Sequence, residues 1–155
     1  MRVDGRPLAS AFLYPLVDDP SFERTGTVVE GAFDGQRAIH LGPSKKWNGR
    51  WVRPNVRPGW TYRASVMGRR TGTKGEDISA LVILYRRGGK PAYCRLAFPP
   101  DRADRKVFNE WVRLEGQFTV PPDLESAAIY FYNNVSEETA DYDLLTLAVV
   151  EEKDP

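Results

Sequence analysis

The clearest alternation of apolar and polar residues in this chain runs from Trp111 to Val120. One face carries Val112, Leu114, Gly116, Phe118 and Val120, with polar or aromatic side chains between them. A period of two is typical of an antiparallel strand with one face in a core and the other in water. Pro121 and Pro122 end the strand, because proline cannot donate a ladder hydrogen bond.

A second alternation follows almost at once, from Ala127 to Tyr132. Ile129 and Phe131 fall on its inner face, and two tyrosines, Tyr130 and Tyr132, fall together on the opposite face. The pattern therefore predicts a sheet with paired aromatic rings on its outer surface.

Short apolar runs separated by proline and glycine turns predict ten strands and no helix of any length. The predicted strands are Ser10–Tyr14, Gly26–Glu30, Arg37–Leu41, Gly49–Arg53, Trp60–Gly68, Ile78–Arg86, Ala92–Phe98, Trp111–Val120, Ser126–Asn133 and Tyr142–Glu151. The sixth is apolar on both faces, as is typical of a strand covered on both sides. Such a series indicates an all-β fold, a two-sheet antiparallel β-sandwich of the jelly-roll type. We divide the chain into an N-terminal arm or edge strand (1–15), the jelly roll (16–151) and a tail (152–155).

Composition narrows the range of functions. The chain of 155 residues has 22 basic and 21 acidic side chains and a net charge of +1, which gives no electrostatic basis for nucleic-acid binding. No apolar run approaches the roughly 20 residues of a membrane span. The N-terminus lacks the residue order of a secretory signal. We therefore expect no membrane insertion.

Catalytic groups are sparse. The single cysteine, Cys94, excludes an internal disulfide and cysteine-based zinc sites, and the single histidine, His40, lies in an alternating strand where packing against the sheet is its expected role. No acidic pair lies in a setting typical of glycoside hydrolysis. We predict that the protein is not an enzyme.

Six segments in order resemble the jelly-roll carbohydrate-binding modules of the cellulose- and xylan-binding group, which are often attached to glycoside hydrolases. Asp19–Glu23 is similar to the family's "NPSFE" signature, and the others are Gly35–Leu41 ("G-x-x-A-L-x-V"), Trp47–Gly49 ("W-x-G"), Arg57–Tyr62 ("L-x-P-G-x-T-Y"), Trp111–Pro121 ("W-x-x-L-x-G-T-F-T-V-P") and Ile129–Phe131 ("L-Y-F"). The final "D-D-V-x-L" strand is matched in part by Asp143–Leu147. The resemblance implies a jelly roll that binds a polysaccharide or cell-surface glycan, and it implies action outside the cell or on a virion surface.

A sugar ring is held in water by flat aromatic platforms together with planar hydrogen-bonding side chains. The resemblance assigns the platform role to Trp47 and Tyr130, whereas Tyr132 stands where the xylan-binding relatives carry a glutamate. Further candidates are Tyr85, Tyr93 and Arg95, on strands that would cross the same face, and Arg24, where relatives can carry an arginine.

The alternative for these tyrosines is that they only cover the sheet. For the other tryptophans, Trp60 and Trp111 are expected to be structural, and strand parity leaves Trp51 undecided.

Many relatives hold a structural calcium ion near the chain termini, and the resemblance places its ligands at Glu23 and Asp143. The second aspartate of the family pair is Leu144 here. Calcium requires several oxygen ligands, so its presence is an expectation that rests on the resemblance alone.

Two functions follow from this reading. The first is a non-catalytic module that recognises a glycan on an aromatic sheet face. The second is a structural virion-surface protein, a phage capsid decoration or tail component, that uses the same jelly roll to contact capsid or tail subunits and for adhesion. The two differ in whether the exposed aromatic rings face solvent or neighbouring subunits.

Overall fold

The computed structural model of the protein describes residues 2–3, 6–7, 16–72, 78–100 and 109–153. Within these ranges the secondary structure is entirely strand and turn, so they contain no helix that is long and apolar enough to cross a bilayer. The predicted strand Ser10–Tyr14 lies outside the described residues.

The described residues form eleven strands: β1 (Arg2–Val3), β2 (Arg6–Pro7), β3 (Thr27–Val28), β4 (Arg37–Leu41), β5 (Asn48–Val52), β6 (Thr61–Thr71), β7 (Ala80–Arg86), β8 (Ala92–Leu96), β9 (Trp111–Thr119), β10 (Leu124–Asn133) and β11 (Thr139–Glu151). β1 and β2 pair with each other. The remaining strands form a four-stranded sheet in the order β5-β10-β7-β8 and a five-stranded sheet in the order β3-β4-β11-β6-β9. All the described pairings are antiparallel, which confirms the predicted two-sheet sandwich.

The core lies between the two sheets and is built from the inward positions of the predicted alternations. On β9, Val112, Leu114 and Phe118 are buried while Arg113 and Gln117 are exposed. β10 buries Ile129 and Phe131 completely. These two strands therefore confirm the inward and outward faces that the sequence predicts.

β7 is covered on both sides, as the sequence predicts. Val82 and Leu84 enter the core, whereas Ile83 is buried on the outer face, where its neighbours across the sheet are Ala128 and Tyr93. An apolar floor therefore runs through the middle of the outer face.

Several predicted boundaries are wrong by two or three residues, among them the end of β6 at Thr71 instead of Gly68 and the start of β7 at Ala80 instead of Ile78. β3 contains only Thr27–Val28 of the predicted Gly26–Glu30, and β11 begins at Thr139 instead of Tyr142. β11 contains register shifts between Asp143 and Thr146, and Leu144 has a positive φ of 49°. This irregularity obscures the continuity of the strand in the sequence.

Tyr142 ties the two sheets together. It is fully buried on β11, and its hydroxyl lies 2.7 Å from the Ser79 carbonyl oxygen and 2.8 Å from that of Tyr132. Burial raises the pKa of Tyr142 far above its ordinary value, so the hydroxyl remains a donor throughout the usual pH range.

Candidate functional site

The outer face of the four-stranded sheet carries an aromatic cluster of Trp47, Trp51, Tyr130 and Tyr132. The two tyrosines point outward because they alternate with buried residues on β10. The antiparallel register sets Tyr130 opposite Trp51 and Tyr132 opposite Gly49 on β5, and Trp47 immediately precedes that strand.

The four rings pack against one another in stacked and tilted pairs. The ring centroids of Trp51 and Tyr130 are 4.3 Å apart with an interplanar angle of 28°, and those of Trp47 and Tyr132 are 4.2 Å apart at 38°. Tyr130 and Tyr132 are 5.6 Å apart. The tryptophans nevertheless remain 58% and 53% exposed, so the cluster presents aromatic surface to solvent.

Gly49 makes this packing possible. A Cβ at this position would lie 2.4 Å from the Tyr130 ring and 2.4 Å from the Phe131 carbonyl oxygen, far closer than van der Waals contact. The absence of a side chain lets the Tyr130 ring lie directly over the β5 backbone. The glycine of the "W-x-G" segment is thus a packing requirement of the cluster.

The Tyr132 hydroxyl is already engaged, because it forms a short hydrogen bond with the Ser79 hydroxyl. Tyr132 therefore contributes its ring, packed against Trp47, to the surface. No carboxylate takes the place of the glutamate that the resemblance leads one to expect at this position.

Three other predicted site residues lie on the same face. Arg95 is opposite Leu81, which is itself opposite Tyr130, and Tyr93 is 62% exposed on β8. Tyr85 lies near the end of β7, opposite Ser126. These side chains share the sheet face with the cluster, but none is among its ring contacts.

Arg24 lies apart from them. Its guanidinium forms a 2.6 Å ion pair with Asp18 in the loop before β3. The next residue, Thr25, accepts a hydrogen bond from Arg50, whose side chain alternates with that of Trp51 on β5 and so points to the other face. The described side-chain contact of Arg24 is therefore within this loop and not with the aromatic cluster.

A groove begins at Trp51 and continues along the sheet. Its first part, of about 480 Å³, is lined by Trp51, Arg53, Tyr85, Glu125, Ser126 and Ala128. A second part of about 250 Å³ shares Arg53, Glu125 and Ser126 and reaches Pro54–Val56. Both parts are open to solvent, so the groove is a shallow channel.

Sequence reasoning missed Arg53 and Glu125 and left Trp51 undecided. Trp51 and Gly49 are two residues apart and so lie on the same face of β5. If the register of β5 against β10 had been known, this position would have placed Trp51 beside Tyr130. Glu125 lies at a register shift between Leu124 and Ser126, where strand parity does not predict direction.

Glu23 and Asp143, the predicted calcium ligands, both accept backbone hydrogen bonds. Glu23 accepts from the amides of Gln36 and Arg37 at 2.9 and 2.8 Å, and Asp143 accepts from those of Asp34 and Leu144 at 2.8 Å. Within the described ranges, no three His, Cys, Asp or Glu side chains are arranged to hold a metal. Both predicted ligands are held in place by backbone amides.

Asp143 is nevertheless electrostatically unusual, since it is fully buried. Burial raises its pKa, and the negative charges of Asp34 and Glu23 raise it further, although the two backbone hydrogen bonds act against this. A cation placed here would offset these charges.

The five-stranded sheet has a concave region of its own, of about 790 Å³. At its base the buried Asp141 carboxylate accepts hydrogen bonds from Arg69 at 2.9 and 3.1 Å and lies 2.6 Å from His40 Nδ1. Arg69 also donates to the carbonyl oxygens of Glu30 and Gly31. The polar groups are thus used in bracing the β3–β4 segment against β6 and β11.

The other two tryptophans have structural contacts. Trp60 is buried and stacks near Tyr62. Trp111 donates from its indole nitrogen to the Gly31 carbonyl oxygen at 2.8 Å, and the Arg69 guanidinium lies 4.5 Å from its ring centroid.

Comparison with solved structures finds the same architecture in carbohydrate-binding modules. The family 16 carbohydrate-binding module 2 superposes with a TM-score of 0.64 at 18% identity, over 86% of this chain and 99% of that one. The CBM22-1 xylan-binding domain of Xyn10C from Paenibacillus barcinonensis gives 0.61 at 18% identity, over 86% and 93%. Tailspike protein 4 of bacteriophage CBA120 gives 0.57 at 14% identity, over 87% of this chain and 21% of that one.

No family model and no curated protein matches the sequence. At these identities the structural matches establish the fold, which is the jelly roll of carbohydrate-binding modules. The fold predicted from the resemblance is therefore confirmed.

Proposed function

We propose that this protein is a non-catalytic module that binds a polysaccharide or cell-surface glycan on the outer face of its four-stranded sheet. The observation that carries the proposal is the aromatic cluster, in which two tryptophans remain more than half exposed on a surface that continues into a groove. The match to a xylan-binding domain supports a polysaccharide as the ligand class.

The physical basis is the amphipathic character of a sugar ring. Its C–H face gains contact with an aromatic ring, while its equatorial hydroxyls remain hydrated or bind polar side chains. Because the surface is open and shallow, only part of the ligand loses water, and the cost of ordering the ligand offsets much of the gain. We therefore expect modest affinity and action outside the cell or on a virion surface, where such glycans occur.

A glycan-array screen followed by calorimetry tests the proposal. The wild type is compared with Trp47→Ala and Tyr130→Ala, and with Phe33→Ala as a matched control. Phe33 is also an exposed aromatic residue, 45% accessible, but it packs against Trp111 on the other sheet.

Binding that is lost in both cluster variants and retained in Phe33→Ala supports glycan recognition. A well-folded wild type that binds no glycan contradicts it. So does binding that survives both cluster substitutions.

A virion-surface role is the second candidate, and the match to a phage tailspike is the observation that favours it. On this alternative the aromatic cluster contacts a capsid or tail subunit, and the purified chain binds no glycan in the array. Co-assembly with virion subunits that is abolished by Trp47→Ala would then support the assembly role over glycan binding.

Calcium binding at Glu23 and Asp143 remains a prediction, supported by the buried negative charge of Asp143 beside Asp34 and Glu23. If a cation neutralises this cluster, millimolar calcium raises the melting temperature relative to EDTA, and Asp143→Asn removes the increment. Equal melting temperatures in calcium and EDTA would contradict the prediction.

A further inference from the structure

We infer that the groove beside Trp51 is a second sugar subsite, which holds a neutral, hydroxyl-bearing unit of the glycan between Arg53 and Glu125. The inference rests on the proposed function and extends it to residues that the resemblance does not assign. It assigns the recognition of sugar hydroxyl groups to the groove.

Ring packing determines where the free aromatic surface lies. Trp51 stacks on Tyr130 with one of its faces, at 4.3 Å, and also forms a wall of the groove. Trp47 and Tyr132 pack against each other at the opposite end of the cluster. A sugar ring in the groove would therefore lie against Trp51 and beside Tyr85.

The polar groups that the cluster lacks are present in this groove. Arg53 and Glu125 are exposed and line both of its parts. Neither side chain has a hydrogen bond or ion pair with any residue in the described ranges, so the hydrogen-bonding capacity of both side chains is available. In contrast, Arg69 and Asp141 on the other sheet form an ion pair, so their charged groups already have partners.

The chemistry of this pair selects the ligand class. A carboxylate accepts hydrogen bonds from two hydroxyl groups, and a guanidinium donates hydrogen bonds to hydroxyl oxygens in a fixed plane. The opposite charges of the two side chains leave the groove close to neutral overall. A uronic acid would be attracted by Arg53 but repelled by Glu125, so we expect a neutral sugar to bind better.

The groove and the cluster form one continuous path. Along β10, Tyr132 and Ser126 are six residues apart, which corresponds to about 20 Å of strand. A path of this length accommodates several consecutive sugar rings, whereas a short oligosaccharide would occupy only the cluster.

The test measures affinity against chain length. The array hit is obtained as a series from disaccharide to hexasaccharide, and each member is titrated by calorimetry into the wild type, Glu125→Gln, Arg53→Gln and Trp51→Ala. Glu151→Gln is the matched control, because Glu151 is an exposed glutamate on the five-stranded sheet.

We expect Glu125→Gln and Arg53→Gln to weaken hexasaccharide binding by about tenfold or more, the size of a lost hydrogen bond to a charged group. Both should leave disaccharide binding within about twofold, while Glu151→Gln changes neither. Trp51→Ala should weaken both, since Trp51 belongs to the cluster and to the groove.

The two proposals fail in different ways. If the cluster variants lose binding but Glu125→Gln and Arg53→Gln match Glu151→Gln at every chain length, the groove inference is wrong and glycan binding stands. If the folded wild type binds no member of any series, the proposed function is wrong, and the groove inference is wrong with it.

Discussion

Gly49→Ala tests the packing of the aromatic cluster directly. The new methyl group would lie 2.4 Å from the Phe131 carbonyl oxygen and 2.4 and 2.6 Å from two atoms of the Tyr130 ring. Atoms cannot remain this close, so β5 must move away from β10 or Tyr130 must tilt away from Trp51. Both movements disturb the sheet and the proposed binding surface together.

The magnitude follows from the cost of overpacking, about 1–3 kcal/mol. For a domain of this size, that corresponds to a fall in melting temperature of roughly 2–12 °C. β5 is an edge strand whose one strand neighbour in the described sheet is β10, so it can relax more easily than a central strand and the lower half of the range is expected. Alanine also reduces the entropy of the unfolded chain relative to glycine, an effect of about 0.4–1 kcal/mol that must be separated from the steric cost.

Gly42→Ala provides that separation, because a Cβ at Gly42 meets no atom within 4 Å. The difference in melting temperature between the two variants isolates the steric cost. Near-ultraviolet circular dichroism reports the packing of the aromatic rings, and calorimetry with the array hit reports binding. If Gly49→Ala matches Gly42→Ala in stability and keeps the wild-type spectrum, the role assigned to Gly49 is wrong.

Three further predictions concern stability and reactivity. Tyr142→Phe removes the hydroxyl that joins the sheets and should lower the free energy of unfolding, measured by chemical denaturation, by about 1–3 kcal/mol. An unchanged free energy of unfolding would mean that the two hydrogen bonds do not stabilise the fold. Partial burial opposes ionisation of Asp19, but hydrogen bonds from Thr25 and Arg24 outweigh this effect and lower the pKa of Asp19. The ionised carboxylate therefore stabilises the fold at neutral pH, and this stabilisation is lost as the pH falls through the folded-state pKa. Asp19→Asn should therefore lower the melting temperature at pH 7, with the difference from wild type shrinking below about pH 4; a constant difference would refute this. Burial raises the pKa of the Cys94 thiol, so it should react with a disulfide reagent at pH 8 more slowly in the folded chain than in urea, and equal rates would contradict the described burial.

The strands and their faces could be predicted because each depends on local alternation. β4 agrees residue for residue with the predicted Arg37–Leu41, and β9 and β10 bury the residues that their period of two indicates. Proline and glycine mark the turns by restricting or freeing φ, which is also a local effect. Nine of the predicted strands lie in the described residues and correspond to observed strands.

The candidate site could be predicted only in part, because it depends on register. The resemblance pointed to Trp47 and Tyr130, which the structure brings into one cluster. Trp51 joins them only because β5 pairs with β10 at one particular offset, and nothing in either strand alone specifies that offset. The direction of the Glu125 side chain depends on a strand irregularity that the sequence pattern does not show. Arg24 was placed by motif order alone, and its side chain pairs with Asp18 instead of lying on the sheet face.

The pairing of β5 with β10 has a consequence for how the proposed binding surface forms. Trp51 and Tyr130 are separated by about half of the chain, so their contact closes one of the longer loops in the topology. Contacts of this kind form late and make folding slow, since loop-closure entropy is lost before they contribute. A nascent chain that ends before β10 lacks Tyr130 and Tyr132, on which the two tryptophans of the proposed binding surface pack. In the complete chain, a bound ligand would favour the folded state by mass action, about 2.7 kcal/mol at a hundredfold excess over Kd, so glycan binding and resistance to unfolding would rise together.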